Sequence, residues 1–294
     1  MGELLKKLLW PFPWLVLDNK GSFGGFFDAV PEYLRVGNCF FLFPPFLLSF
    51  MYAVVAFKPD ELDFSEHNYP EKGSLFHFLS ILFTMNGLFV LYSILSKIGA
   101  GVMCSYTMVS WSILTFHTGS SALCSFFPEL VESNAAFQML ATSSEFFRFP
   151  ALVAATVTFT LWNFLLAPVI YYLVKTKSRR SGFLKFNLHW HMTEIHVLNY
   201  PIAVASTILS SSARAFTASD LWAALALAIG YAIFYVGVLD RLGVHLYVVF
   251  SPRSKVRREN LEFRDRRQLT VDWVCRSLLL LVLFSLGLQL PRVH

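Results

Sequence analysis

Long stretches without a charged side chain constrain the folding of this chain more than any other feature. Five stretches contain no Lys, Arg, Asp or Glu, namely 36–57, 73–96, 98–128, 149–174 and 221–239. A helix of about 20 apolar residues crosses a membrane, and a charge at its centre costs about 2.5 to 3.5 kcal/mol. Only 15% of the 294 residues are charged, too few for the surface of a soluble domain. The composition indicates an integral membrane protein and excludes a disordered chain or a nucleic-acid reader.

Two further apolar stretches carry isolated charges. They are residues 186–213, which contain Glu194, and residues 268–291, which contain Asp272 and Arg276. We therefore predict an all-α, polytopic integral membrane protein with about seven transmembrane helices in a single domain, residues 36–291. The preceding segment, residues 1–35, is apolar but interrupted by prolines, and we expect it to lie in the membrane interface.

The loop charges predict the orientation of these spans. The N-terminal segment and the loops 175–185 and 252–267 are basic, so a seven-span arrangement places all three on one side. The opposite loops are acidic, with one group between Asp60 and Glu71 and a second that contains Glu129, Glu132 and Glu145. Basic residues accumulate on the cytoplasmic side of membrane proteins. We therefore expect the N-terminus on the basic, cytoplasmic or matrix side, with membrane lipids rather than nucleic acid as the partner of the positive charge.

The fifth predicted span is unusually polar. Ionisable groups at membrane depth are costly and mark functional candidates, and at helical spacing His189, Thr193 and His196 share one face. One interpretation places His189 and His191 at the level of the lipid headgroups. A second is a metal or haem site completed from other helices, for which the sequence offers His77, His117 and His245 without any motif spacing. A third makes His196 the base of a nucleophilic pair. We predict no metal and no cofactor.

Two segments resemble a known family. The spacing of His196, Pro201, Gly230-Tyr231, Gly243 and Tyr247 is similar to that of the androgen-induced and androgen-dependent multispanning membrane hydrolases, which cleave fatty acid esters of hydroxy fatty acids. The segment Gly73 to Ser80, at the start of residues 73–96, resembles the family's Gly-Ser-aromatic-Lys-Phe-Leu-Thr segment. The stronger match covers residues 196–250. Family members have six spans, so residues 98–128 look like an insertion.

The resemblance implies a catalytic pair. Ser80 takes the position of the family's nucleophilic Thr, and His196 takes that of the catalytic His. The chain departs from the family at Met192-Thr193, which replace Asn-His, and at Leu239-Asp240, which replace His-His. A hydroxyl nucleophile needs an adjacent base and donors for the oxyanion. The predicted supporting polar residues are Asn86, Glu194, Asn199, Tyr231 and Asp240.

Two functions follow from these observations. The first is a cofactor-independent hydrolase of a lipid (fatty-acyl) ester, in the endoplasmic reticulum or plasma membrane by resemblance. The second is a non-catalytic, lipid-embedded accessory subunit that binds other membrane protein subunits in a larger complex, for which the mitochondrial inner membrane is a further location. The lost polar partners and the 17% aromatic content favour the accessory subunit, whereas the retained hydroxyl and imidazole favour the hydrolase.

Overall fold

The computed structural model describes residues 43–67, 69–98, 100–173, 177–208 and 215–239. Within these ranges all regular structure is helical and no strand occurs. The helices are α1 (Phe43–Ala56), α2 (Leu75–Ile98), α3 (Tyr106–Phe126), α4 (Pro128–Ser133), α5 (Ala135–Thr160), α6 (Ala167–Leu173), α7 (Lys177–Asn187), α8 (Trp190–Thr193), α9 (Asn199–Ile208) and α10 (Ala218–Phe234). The predicted interfacial segment 1–35, the predicted span 268–291 and Asp240 lie outside the described residues.

Irregular helical turns connect several of these helices. A 3-10 turn, Ala100–Cys104, joins α2 to α3, whose N-terminus is capped by the Ser105 side chain. Three π-helical turns follow among the described residues. The first π-turn is Leu161–Leu166 between α5 and α6, the second is Glu194–Leu198 between α8 and α9, and the third is Tyr235–Leu239 after α10.

Three of the described helices are long and apolar enough to cross a membrane. They are Leu75–Ser96, Ala135–Leu166 and Ala218–Leu239. The first of these matches the uncharged run 73–96 closely, because nothing in that run interrupts the helix. The all-helical, membrane-compatible architecture is confirmed for the described residues, whereas seven spans and the side of the N-terminus stay predictions.

The predicted start of the fourth span was wrong. We placed it at residue 149 and assigned Glu145 to an acidic loop, but α5 begins at Ala135 and contains both Glu145 and Arg148. Their side chains form an ion pair of 3.2 Å and are 1% and 2% exposed. Because each charge has a partner one turn away, the pair does not end the helix.

The fifth span is not one regular helix. α7 ends at Asn187, the chain turns at Leu188 and His189, and the second π-turn follows α8. His189 is exposed and His196 is buried, so the predicted common face is wrong. Proline explains two of the π-turns: a proline cannot donate a hydrogen bond to the carbonyl four residues earlier and clashes with it. Pro168 and Pro201 each lie four residues after a position inside a π-turn.

The core lies where α3 packs between α2 and α5. The cluster of Val90, Ile94, Met108, Trp111 and Ile195 joins α2 and α3 to the second π-turn. α9 and α10 pack on the other faces of α5, and Ala151, Ala155 and Ala203 let α9 approach closely. This arrangement brings side chains of α2, α3, α5 and α9 together.

Candidate functional site

Small residues hold α2 against α3 at short range. A Cβ at Gly87 would overlap the Thr115 side chain, and one at Gly119 would lie 3.1 Å from Thr84 Cγ2. Trp111 Nε1 donates to the carbonyl oxygen of Gly87 over 3.2 Å. Glycine at such positions lets membrane helices approach closely. The close contact aligns the polar face of α2 with that of α3.

A small cavity of about 10 Å³ lies at the acidic-loop end of this helix pair. Its polar lining residues come from four helices and are Ser80, His117, Thr118, Ser121, Arg148 and Ser206. Pro70 and Phe76 complete the wall. A cavity of this size is at the lower limit for one water molecule, so the site is closed to any larger ligand in this conformation.

Ser80 is 3% exposed and lines this cavity. Its backbone carbonyl accepts a hydrogen bond from Thr84 Oγ1, which also donates to Thr118 Oγ1 over 3.2 Å. The Ser80 hydroxyl itself makes no hydrogen bond with a described residue. A buried hydroxyl of this kind is available to a molecule in the cavity.

His117 is the imidazole of the cavity. Its Nδ1 lies 3.0 Å from the carbonyl oxygen of Ser144 and 3.2 Å from Ser144 Oγ. A carbonyl oxygen only accepts hydrogen bonds, so Nδ1 carries a proton and Nε2 of the neutral ring carries a lone pair. Within the described part of the chain Nε2 has no hydrogen-bond partner.

Arg148 contributes a positive charge to the same wall. In addition to its ion pair with Glu145, its guanidinium lies 5.0 Å from the ring centroid of Phe216. Nη2 also approaches the carbonyl oxygen of Thr207 at 3.5 Å. The guanidinium is therefore held on several sides at the cavity wall, with the Glu145 carboxylate as its counter-charge.

His196 lies in a different environment. It belongs to the second π-turn, and its ring stacks on Trp162 of the first π-turn with centroids 4.1 Å apart. Its carbonyl oxygen accepts a hydrogen bond of 2.8 Å from Asn163 Nδ2. Its Nδ1 is buried and has no partner among the described residues. π-turns recur at functional sites, which keeps His196 a candidate.

Ser80 and His196 do not hydrogen bond with each other. α2 and the polar segment run antiparallel, because Asn86 Nδ2 donates to Glu194 Oε2 over 3.0 Å while Ser93 pairs with His191 further along α2. The Ser80 cavity is lined by Ser206, which follows His196 by ten residues. Ten helical residues span about 15 Å. The catalytic roles stay predictions, and among the described residues the imidazole that lines the cavity with Ser80 is that of His117.

The structure distributes the predicted supporting residues among separate contacts. Asn86 and Glu194 bind each other. Asn199 Nδ2 donates to Ser110 Oγ over 3.1 Å, and Tyr231 OH donates to the carbonyl oxygen of Cys104 over 3.1 Å. None of these four lines the Ser80 cavity, and Asp240 lies outside the described residues.

Sequence reasoning missed three direct serine–histidine pairs, one of which is the contact of His117 Nδ1 with Ser144 Oγ described above. Ser93 Oγ and His191 Nε2 are 2.7 Å apart, and His191 Nδ1 lies 3.1 Å from His189 Nδ1. Ser125 Oγ hydrogen bonds with His77 Nδ1. No motif spacing in the sequence predicts these pairs, because each pair joins two helices whose register only the fold defines. Among the described residues, no three His, Cys, Asp or Glu side chains converge to hold a metal ion.

Comparison of the chain with family models, curated proteins and solved structures gives no match. The resemblance to the multispanning lipid hydrolases therefore depends on the residues quoted above. The geometry of the cavity is an independent observation, because it involves His117 and Arg148, which the resemblance did not include.

Proposed function

We propose that this protein is a membrane-embedded hydrolase of a lipid ester, with Ser80 as its nucleophile. One observation carries the proposal: Ser80 is a buried residue that lines a cavity together with an imidazole and a guanidinium, and its hydroxyl makes no hydrogen bond with a described residue. Three other buried serines, Ser93, Ser125 and Ser144, are within hydrogen-bond distance of an imidazole, but none of them lines the cavity that Arg148 lines.

The cavity contains the groups that ester hydrolysis needs. A serine hydroxyl becomes a useful nucleophile only with a base nearby, and the tetrahedral intermediate needs positive charge or hydrogen-bond donors near its oxygen. His117 and Arg148 line the wall that Ser80 also lines. No metal or organic cofactor is required for this chemistry.

The exposed apolar face of α2 is compatible with entry of a lipid substrate from the bilayer. On α2, the side opposite the cavity exposes large apolar residues at helical spacing: Leu75, Phe78, Leu82, Met85, Phe89 and Tyr92. In the proposed seven-span arrangement with the N-terminus on the basic side, this face contacts acyl chains. A substrate that reaches the protein through the bilayer meets α2 first, and the helices around the cavity separate to admit its ester group.

The test uses the full-length chain in nanodiscs and a fluorophosphonate probe that labels activated serines. We expect a single labelled peptide that contains Ser80, together with turnover of a fatty-acyl ester of an alcohol. Ser80→Ala should abolish both. Ser125→Ala is the matched control, because it removes a buried serine that is already bonded to a histidine. Label on another serine, or turnover that survives Ser80→Ala, contradicts the assignment.

The size of the cavity favours a second candidate, the non-catalytic accessory subunit. A volume of about 10 Å³ accommodates no acyl ester, and in a structural protein such a site only packs polar residues. This alternative predicts stable migration with a larger membrane complex on native gels after mild solubilisation. It also predicts that no serine in the complex-bound chain reacts with the probe, which is the opposite of the result expected for the hydrolase.

A further inference from the structure

We infer that His117 is the general base that activates Ser80. This inference rests on the proposed function, and it changes the residue in that role from His196, which the family resemblance implied, to an imidazole from α3. The observation behind it is that Ser80 and His117 line one cavity. His117 belongs to residues 98–128, the stretch that looks like an insertion relative to the family.

The hydrogen bonds of His117 leave it in the state that a base requires. Because Nδ1 donates to the carbonyl oxygen of Ser144 at 3.0 Å, the neutral ring presents an unprotonated Nε2. This hydrogen bond fixes the orientation of the ring, as the third group does in systems of nucleophile, base and orienting residue. Ser144 is held in turn, since its Oγ lies 3.0 Å from Ser121 Oγ. Nε2 has no competing partner among the described residues.

The surroundings of His196 give it a positioning role instead. Its ring lies flat against Trp162, with an interplanar angle of 13°, and its backbone is tied to Asn163. These contacts connect the first and second π-turns. Through this connection His196 orients α9, the helix that carries Ser206 to the cavity wall.

The proposed reaction consumes only the ester and water. Ser80 Oγ bonds to the acyl carbon while its proton passes to His117 Nε2. The ester C–O bond then breaks, and the same proton passes to the departing alkoxide, which leaves as the alcohol. Water attacks the acyl-serine, gives one proton to Nε2, and releases the fatty acid as that proton returns to Ser80 Oγ. Arg148 lines the same cavity, and in this reaction its guanidinium stabilises the oxygen that carries negative charge in both intermediates.

The experiment compares imidazole variants in the full-length chain. The readouts are the rate of fluorophosphonate labelling at Ser80, located by peptide mass spectrometry, and the hydrolysis rate of a fatty-acyl ester. His117→Asn retains a donor for the Ser144 carbonyl but removes Nε2. We expect it to lower both rates by about 100-fold to 10,000-fold. His77→Asn is the matched control, since it removes a buried imidazole that does not line the cavity, and it should retain Ser80 labelling to within a few-fold. His196→Asn tests the positioning role and should lower both rates less than His117→Asn does.

Chemical rescue separates a base from a packing residue. His117→Ala leaves a space the size of the lost ring, and added imidazole should restore a substantial part of the lost rate, whereas it should not affect His196→Ala. Thermal unfolding of each variant shows that the chain is folded. A loss that imidazole does not reverse in a folded His117→Ala variant assigns His117 a packing role and overturns the inference.

The outcomes distinguish this inference from the proposed function. If the wild-type chain shows no labelling at Ser80, the hydrolase function fails and the role of His117 fails with it. If Ser80 is labelled in the wild type and His117→Asn reacts at the wild-type rate, only the role of His117 is wrong. Loss of Ser80 labelling in His196→Asn, with His117→Asn unaffected, returns the base to His196.

Discussion

Near the start of α2, Ser80 faces a small cavity together with His117, whereas near its end Ser93 hydrogen bonds directly with His191. Both regions combine a buried serine with a buried imidazole. In the second, Ser93 Oγ and His191 Nε2 are in direct hydrogen-bond contact at 2.7 Å. In the first, His117 Nδ1 donates to the backbone carbonyl oxygen of Ser144, and its other ring nitrogen, Nε2, has no partner among the described residues. The proposed function predicts that the two serines differ in reactivity, and variants of each serine test this difference.

The largest expected effect comes from removing one of these two hydroxyls. Under the proposed function, Ser80→Ala should reduce ester hydrolysis by about 1,000-fold or more, as deletion of the nucleophile does in serine hydrolases. Ser93→Ala should leave it within a few-fold of wild type. Steady-state kinetics on both variants in nanodiscs checks this. Equal losses would show that the two serines do not differ in function.

Breaking the ion pair beside the cavity should have the largest effect on stability. Arg148→Met leaves Glu145 charged and buried, which costs about 3 to 5 kcal/mol. Replacing both, as Glu145→Leu with Arg148→Met, should recover most of that loss, since a packed apolar pair avoids the stranded charge. Thermal unfolding followed by tryptophan fluorescence measures both variants. A double variant no more stable than the single one argues against the pair as the cause.

Adding a methyl group to α2 between Ser80 and Ser93 should have an intermediate effect on stability. Gly87 lies between Ser80 and Ser93 on α2, and Gly87→Ala forces its methyl into the Thr115 side chain. We expect a destabilisation of about 1 to 3 kcal/mol from overpacking. Gly119→Ala, whose methyl would lie 3.1 Å from Thr84 Cγ2, should cost less. The same unfolding assay ranks the two, and the reverse order would contradict the described α2–α3 contact.

The smallest effect on stability is expected for the hydrogen-bonded pair of Ser93 and His191. Ser93→Ala should destabilise the chain by about 1 kcal/mol, the usual worth of one hydrogen bond. In the His191→Ala background the same change should cost less, because its partner is already gone. A double-mutant cycle on unfolding free energies gives the coupling. A coupling near zero would mean that the two side chains stabilise the protein independently.

The extent of α2 was predictable from the sequence, but that of α5 was not. An uncharged run of sufficient length specifies a helix by itself, so residues 73–96 correspond closely to Leu75–Ser96. At Glu145 and Arg148 the same rule failed, because charges three residues apart neutralise each other inside a helix. The second π-turn precedes Pro201, and hydropathy registers neither this turn nor the break at Leu188 and His189.

The candidate site was only half predictable. Ser80 follows from a short segment with a family resemblance, and the structure places it at a polar cavity. His117 appeared in the sequence only as one of several scattered histidines, because nothing near it in the chain indicates its partner. That partner is a carbonyl 27 residues later, at Ser144. Only the packing of α3 on α5 brings them together.

The π-turns have a consequence for the angular phase of the helices that follow them. A π-turn closes its hydrogen bond over one residue more than an α-turn, and one residue is about 100° of helical rotation. The face of α9 is therefore offset from that of α8 by roughly a quarter of a circle. Deleting one residue within Glu194–Leu198 would leave the apolar composition almost unchanged, yet it would rotate Ser206 away from the cavity wall. The orientation of this wall thus depends on a turn that contributes no side chain to it.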